Sequence, residues 1–199
     1  MEKLNNTRKK LIVDGMEQIL DGLVGPHWRV DSNFKGTPER YMRALEEMFF
    51  NKRTELATFD GVYKQMVLVA HHREYTLCPH HMIPVAMDIS CAYIPAEEGG
   101  VVGMSKLIRM IQFENSEPIL QEDLTEAIAD QIEAITPKPK GAAVLISAWH
   151  GCMQMRGVRT GATAVTEALR GVFYENQETR EEFLHLVRMG ANHAKAGLL

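Results

Sequence analysis

Apolar positions recur at helical spacing through the first fifty residues and at strand spacing through the middle of the chain. Leu11, Ile12, Met16, Ile19, Leu20 and Leu23 predict an amphipathic helix over about 8–24, ended by Gly25-Pro26. Thr37-Pro38 announces a second helix, with proline at its first position and Tyr41, Leu45, Met48 and Phe49 as the buried stripe. The short, partly β-branched run 66–70 predicts a strand. Val85, Met87, Ile89, Cys91 and Tyr93 alternate with smaller or polar residues, the period of a half-buried strand. A turn at 97–100 and a brief strand at 101–104 lead to a helix capped by Ser105. Leu124, Ile128, Ile132 and Ile135 mark a helix over 122–135, stopped by Pro137 and Pro139. Strands follow at 142–150 and 153–159, then a last helix from Thr179, with Glu182 completing a capping box.

Helices at both ends and paired strands between them make an α+β chain. Neither a repeat nor a linker interrupts it, so we expect one structural unit overall: an N-terminal helical region over 1–60 and the mixed strand-and-helix remainder over 61–199. Its 199 residues are enough for a substantial core, and 45% hydrophobic with 24% charged residues is ordinary soluble composition. No apolar run reaches the roughly 20 residues that span a bilayer, so no membrane partner is expected. With 22 Lys and Arg against 26 Asp and Glu, the net charge of −4 argues against a nucleic-acid-binding face. The charged start lacks a signal-peptide pattern, and three cysteines cannot all pair. Both point to a reducing cytoplasm.

Two clusters carry metal-binding chemistry. Cys78-Pro79-His80-His81 precedes a strand and His150-Gly151-Cys152 ends one. Thiolate and imidazole are zinc's preferred donors, and residues two apart in an extended segment share a face, so His150 and Cys152 can enter one pocket. A closed structural site is the rival reading, but a chain this long folds its core without metal. Three donors would leave spare imidazoles for proton transfer. Cys91 reads as core, and His71-His72 as a surface or supporting pair.

Ser105, Lys106 and Arg109 begin a helix, where unsatisfied N–H groups and the dipole favour an anion, although a plain basic surface helix fits the same residues. Arg156 would share a strand face with His150 and Cys152 and suits a phosphorylated substrate. Gln121-Glu122 either caps a helix or reads the donor edge of a purine.

Taken in order, these motifs resemble the GTP cyclohydrolase I family from about residue 37 to 188. The resemblance rests on Cys78-Pro79-His80-His81, Ala92-Tyr93-Ile94-Pro95, Gly103-Met104-Ser105-Lys106, Gln121-Glu122, His150-Gly151-Cys152-Met153-Gln154-Met155-Arg156-Gly157-Val158 and Thr179–Leu184. It implies a tunnelling fold, antiparallel sheets and helices assembled into a toroidal homodecamer of two pentamers with sites between subunits. It also implies hydrolysis of GTP at guanine C8 to formate and 7,8-dihydroneopterin triphosphate, a pterin precursor of the kind used in tetrahydrofolate and one-carbon metabolism. Zinc would be held by Cys78, His81 and Cys152, while His80 and His150 would move protons. Glu122, supported by Gln121, would hold the guanine edge. Lys106 and Arg156 would bind the triphosphate with Arg109 assisting, and Ser105 would contact the ribose–phosphate region. Pro79 stands where the family has glutamate, Asp123 where it has arginine, and the 159–163 loop is shorter. Alternatives are a relative acting on another purine nucleotide or stopping at a ring-opened pyrimidine, and a non-catalytic nucleotide- or pterin-binding scaffold.

Overall fold

The computed structural model describes residues 4–50, 58–59, 63–97, 100–136 and 138–195. The chain divides into two compact units, Met1–Lys52 and Arg53–Leu199. The boundary expected at 60/61, the centre of the 97–100 turn and the helix-stopping Pro137 lie outside the described residues.

In the first unit, α1 (Asn6–Leu23) starts where the Asn5 side chain accepts a hydrogen bond from the Arg8 N–H at 2.9 Å. It packs on α2 (Thr37–Phe49), whose proline sits in the first turn as expected. Lys9 pairs with Glu46 at 2.8 Å, and Trp28 Nε1 donates to Asp21 at 2.9 Å. Leu20 is buried, whereas Leu11, Ile19 and Leu23 on the predicted stripe are exposed.

The second unit is built on a four-stranded antiparallel sheet in the order β2 (Val67–Leu77), β3 (Pro84–Ile94), β5 (Gly141–His150), β6 (Ala164–Leu169). A second, two-stranded ladder joins β1 (Thr58–Phe59) to β4 (Val101–Val102). The alternation read in β3 is the division between two apolar layers. Val85, Met87, Ile89, Cys91 and Tyr93 face the core shared with α3 (Met104–Glu114) and α4 (Gln121–Ile135). Ala92 faces the other way and is paired in register with Ala143. These two small side chains leave room for Phe173 of α6 (Val172–Glu175) and for Phe183 and Val187 of α7 (Gln177–Lys195). Phe173 and Phe183 meet edge to face at 5.9 Å. Tyr93 ties β4 to the sheet, its hydroxyl accepting from Val102 N–H at 2.8 Å and donating to Val102 C=O at 3.1 Å.

Several local expectations are corrected. Ser105 does not cap α3: Gly103 occupies that position, and Ser105 lies inside the first turn. The 153–159 segment is not a strand. Gly151–Gln154 forms a single helical turn, α5, and the next strand begins only at Ala164. The last helix starts at Gln177, and Thr179 is not its cap, because its N–H is held at 2.9 Å by the Asn176 side chain. The strand expected at 66–70 continues to Leu77 through a bulge between Val69 and His72, where His71 takes a φ of 60°.

Candidate metal centre

The β2–β3 hairpin loop folds Cys78 onto His81. The Cys78 carbonyl accepts the His81 N–H at 3.2 Å and the Met82 N–H at 2.7 Å, while Cys78 N–H donates to Ile83 C=O at 3.0 Å. Pro79 falls at the second position of this turn, where its fixed φ is an advantage and no backbone N–H is needed. Pro79 thus stiffens the ligand loop. Across the sheet, β3 pairs with β5 so that Val85 sits opposite His150, which brings the end of β5 and the α5 turn beside the loop.

The donor atoms of Cys78, His81 and Cys152 lie within 4.8 Å of one another, and Cys78 Sγ is 3.7 Å from His81 Nδ1. Tetrahedral zinc, with bonds of ~2.3 Å to sulfur and ~2.0–2.1 Å to nitrogen, holds such donors about 3.6–3.8 Å apart. Cys78 is buried, Cys152 half-buried and His81 exposed. Burial pushes the Cys152 thiol up, and the neighbouring Cys78 pushes it further, while Arg156 pulls it down. Two adjacent thiols with an imidazole beside them are a donor set suited to a divalent cation. The residues present therefore fit zinc.

These donors share a cavity of about 200 Å³ with His80, His150, Gln121 and Glu122. Val85, Met87, Ile119, Leu120 and Met153 supply an apolar lining. His80 Nδ1 lies 3.8 Å from Cys78 Sγ. His150 and Cys152 reach the same cavity as expected, but through a strand end and a helical turn rather than along one extended face. Burial lowers the His150 pKa, opposed by the charge of Glu122. Glu122 is exposed in the first turn of α4, where the dipole stabilises its carboxylate.

Gln121 is only 5% exposed, so neither surface capping nor an open amide aimed at a base describes it. Its Nε2 donates to Ile146 C=O at 3.1 Å and Thr166 Oγ1 at 3.0 Å, and its Oε1 meets His150 Nε2 at 2.8 Å. Ser105, Lys106, Arg109 and Arg156 do not line the cavity; the first three lie on α3 and Arg156 just beyond α5. Sequence reasoning missed Thr76. It is buried in the cavity wall with Oγ1 unpartnered, and its place two residues before Cys78 on a strand was the available signal. It also missed Thr125, one turn further along α4, and Thr166 of β6, which holds the Gln121 amide from an element distant in sequence.

The family model described as GTP cyclohydrolase I matches residues 15–188. GTP cyclohydrolase 1 of Aquifex aeolicus (strain VF5) is 45% identical over 157 residues, covering 77% of this chain and 84% of that protein. GTP cyclohydrolase 1 of Campylobacter concisus (strain 13826) is 35% identical over 184 residues, covering 92% and 93%. Among solved structures, the archaeosine synthase QueF-Like in the apo form aligns at 19% identity with a TM-score of 0.44, over 53% of this chain and 93% of that one.

Proposed function

Because the chain belongs to the GTP cyclohydrolase I family, we propose that it hydrolyses GTP at guanine C8, with zinc, to formate and 7,8-dihydroneopterin triphosphate. The observation that carries this reading is the donor triangle of Cys78, His81 and Cys152 in one wall with His80, His150 and Glu122. Three protein donors is the count of catalytic zinc sites, where structural sites use four. Bound there, zinc supplies Lewis-acid activation of water at neutral pH.

The chain's own groups then divide the work. Glu122 accepts hydrogen bonds from the N1–H and amino group of guanine, which orients the imidazole ring toward the donor triangle. His80 and His150 flank that triangle and carry protons to and from the ring nitrogens as the C8 bonds break. The apolar lining keeps bulk water from the base. Lys106 and Arg156 bind the triphosphate, Arg109 assists, and Ser105 meets the ribose–phosphate region. Gln121 supports Glu122 from beneath through their shared turn of α4.

A cavity of about 200 Å³ falls below the roughly 300–1,000 Å³ typical of ligand pockets. We therefore assign Ser105, Lys106 and Arg109 to the site of a neighbouring copy, within a tunnelling-fold homodecamer of two pentamers. On this reading the catalytic domain is 61–199 and the enzyme works in the cytoplasm. No helix among the described residues is long and apolar enough to cross a membrane. The test is incubation of zinc-loaded protein with GTP. Formate and, after oxidation, fluorescent neopterin are expected in equal amounts. A product with the mass of a formylamino- or diamino-pyrimidine would identify the arrested reaction instead, and neither product would reject the reading.

A further inference from the structure

His150 has two ring nitrogens, and which one carries the proton decides which can act as a base. The surrounding partners determine the answer. The Gln121 amide faces two backbone carbonyls, Ile146 C=O at 3.1 Å and Ala164 C=O at 3.4 Å. Carbonyls only accept, so the amide nitrogen must be the end that faces them, whichever way the side chain is drawn. Gln121 Oε1 is then the end beside His150 Nε2, at 2.8 Å. An amide oxygen only accepts, so Nε2 must donate.

The same logic runs outward. Thr125 Oγ1 donates to Gln121 C=O at 2.6 Å, which leaves it to accept from Thr166 Oγ1 at 2.7 Å. Thr166 Oγ1 in turn accepts from Gln121 Nε2 at 3.0 Å. The directions in this ring are mutually consistent, with the two Nε2 hydrogens going to the nearer acceptors, Thr166 Oγ1 and Ile146 C=O. Gln121 and Thr125 are nearly or fully buried, and the ring spans α4, β5 and β6. A satisfied buried network of this kind holds one arrangement, because any reversal strands a polar group away from water.

We infer that Gln121, held by Thr166 and Thr125, is a positioning residue whose side-chain oxygen accepts from His150 Nε2–H and so fixes how the ring is turned, leaving Nδ1 outside this network. This deepens the proposed function, since it rests on His150 moving protons there. It places Gln121 behind the histidine, with no side-chain contact to substrate.

The experiment uses the zinc-loaded full chain with ¹⁵N-labelled histidine, sedimented for solid-state NMR, with His150 assigned by its loss in His150→Gln. In the wild type, His150 should show a protonated Nε2. Gln121→Met, which removes the acceptor at similar volume, should populate both tautomers. Its kcat with GTP should fall about 10–100-fold, as for other partners that orient a site histidine, with KM within about twofold. Thr166→Val should give a smaller kcat loss in the same direction and Thr166→Ser should restore wild-type values, so the inference stays testable if the Gln121 variant misfolds. An Nδ1–H tautomer in the wild type would overturn it. So would a Gln121→Met protein with unchanged tautomer and kcat, or one whose KM rises while kcat holds. The spectra read the tautomer without turnover, so a wild type inert toward GTP would reject the proposed reaction and leave this inference to be decided by the spectra.

Discussion

Gly151 separates His150 from Cys152, and the structure shows why no side chain fits there. A Cβ at this position would lie 2.6 Å from Ile83 Cγ2, 2.9 Å from the Pro84 carbonyl oxygen and 3.2 Å from Trp149 Cη2. Ordinary carbon contacts are ~3.5–4.0 Å, so Gly151→Ala overlaps the Ile83 methyl by about 1 Å and the Pro84 oxygen by about half that. Ile83 can turn aside. Pro84 cannot, because it opens β3 and is paired in register with Leu77. The α5 turn must therefore retreat by about 0.5 Å, beyond the roughly 0.2 Å tolerance of metal–ligand distances. We expect overpacking to destabilise the fold by about 1–3 kcal/mol. Displacing Cys152 should lower zinc affinity at least about 10-fold and kcat/KM about 100-fold. Zinc affinity would be read by competition with a chromophoric chelator, kcat/KM by formate release and stability by thermal melting of the metal-free chain. Gly15→Ala is the control, since its Cβ meets nothing within 4 Å and alanine favours the helix. Wild-type zinc affinity and turnover in Gly151→Ala would refute the claim that this close approach delivers Cys152 to Cys78.

Three further outcomes are expected. Cys152→Ala should lose bound zinc and formate release together, as measured by metal analysis and product assay on the same sample; retained activity without zinc would contradict the ligand assignment. Burial alone would lower the His71 pKa, but hydrogen bonds to Asp88 and to Val187 C=O, with the charge of Asp88, outweigh it and raise the value. Stability from this contact is thus fully present below the ordinary histidine value of ~6.5 and is lost as pH rises through the raised folded value. Hydrogen exchange in α7 should quicken across that window, and Asp88→Asn should flatten the pH dependence. Phe173→Ala, at a fully buried position against Phe183, should cost about 3–5 kcal/mol in denaturant unfolding.

Much of this architecture is legible in one dimension because local physics dictates it. Alternation in β3 assigns residues to the two faces of the sheet, and Thr37-Pro38 marks the start of α2, with Gly36 rather than Thr37 at the cap and proline one position further in. The ligand loop was readable for the same reason: Cys78 and His81 sit at the two ends of one tight turn. What was hidden depends on distant partners. The Asn176 side chain, and not Thr179, caps α7, since both are good capping residues and local sequence does not choose between them. The α5 turn replaced an expected strand because Gly151 packs against Ile83 and Pro84, a contact across more than sixty residues. Gln121 read as a helix cap or a purine-edge reader, yet Ile146 of β5 and Thr166 of β6, which hold its amide, are distant in sequence.

X-ray absorption at the zinc edge of the loaded full chain tests the central claim most directly. Two sulfurs, one imidazole and one further light neighbour that is not histidine are expected, the signature of Cys78, His81 and Cys152 with a position open to solvent. A second imidazole, from His80 or His150 closing the shell, or a single sulfur, would contradict it.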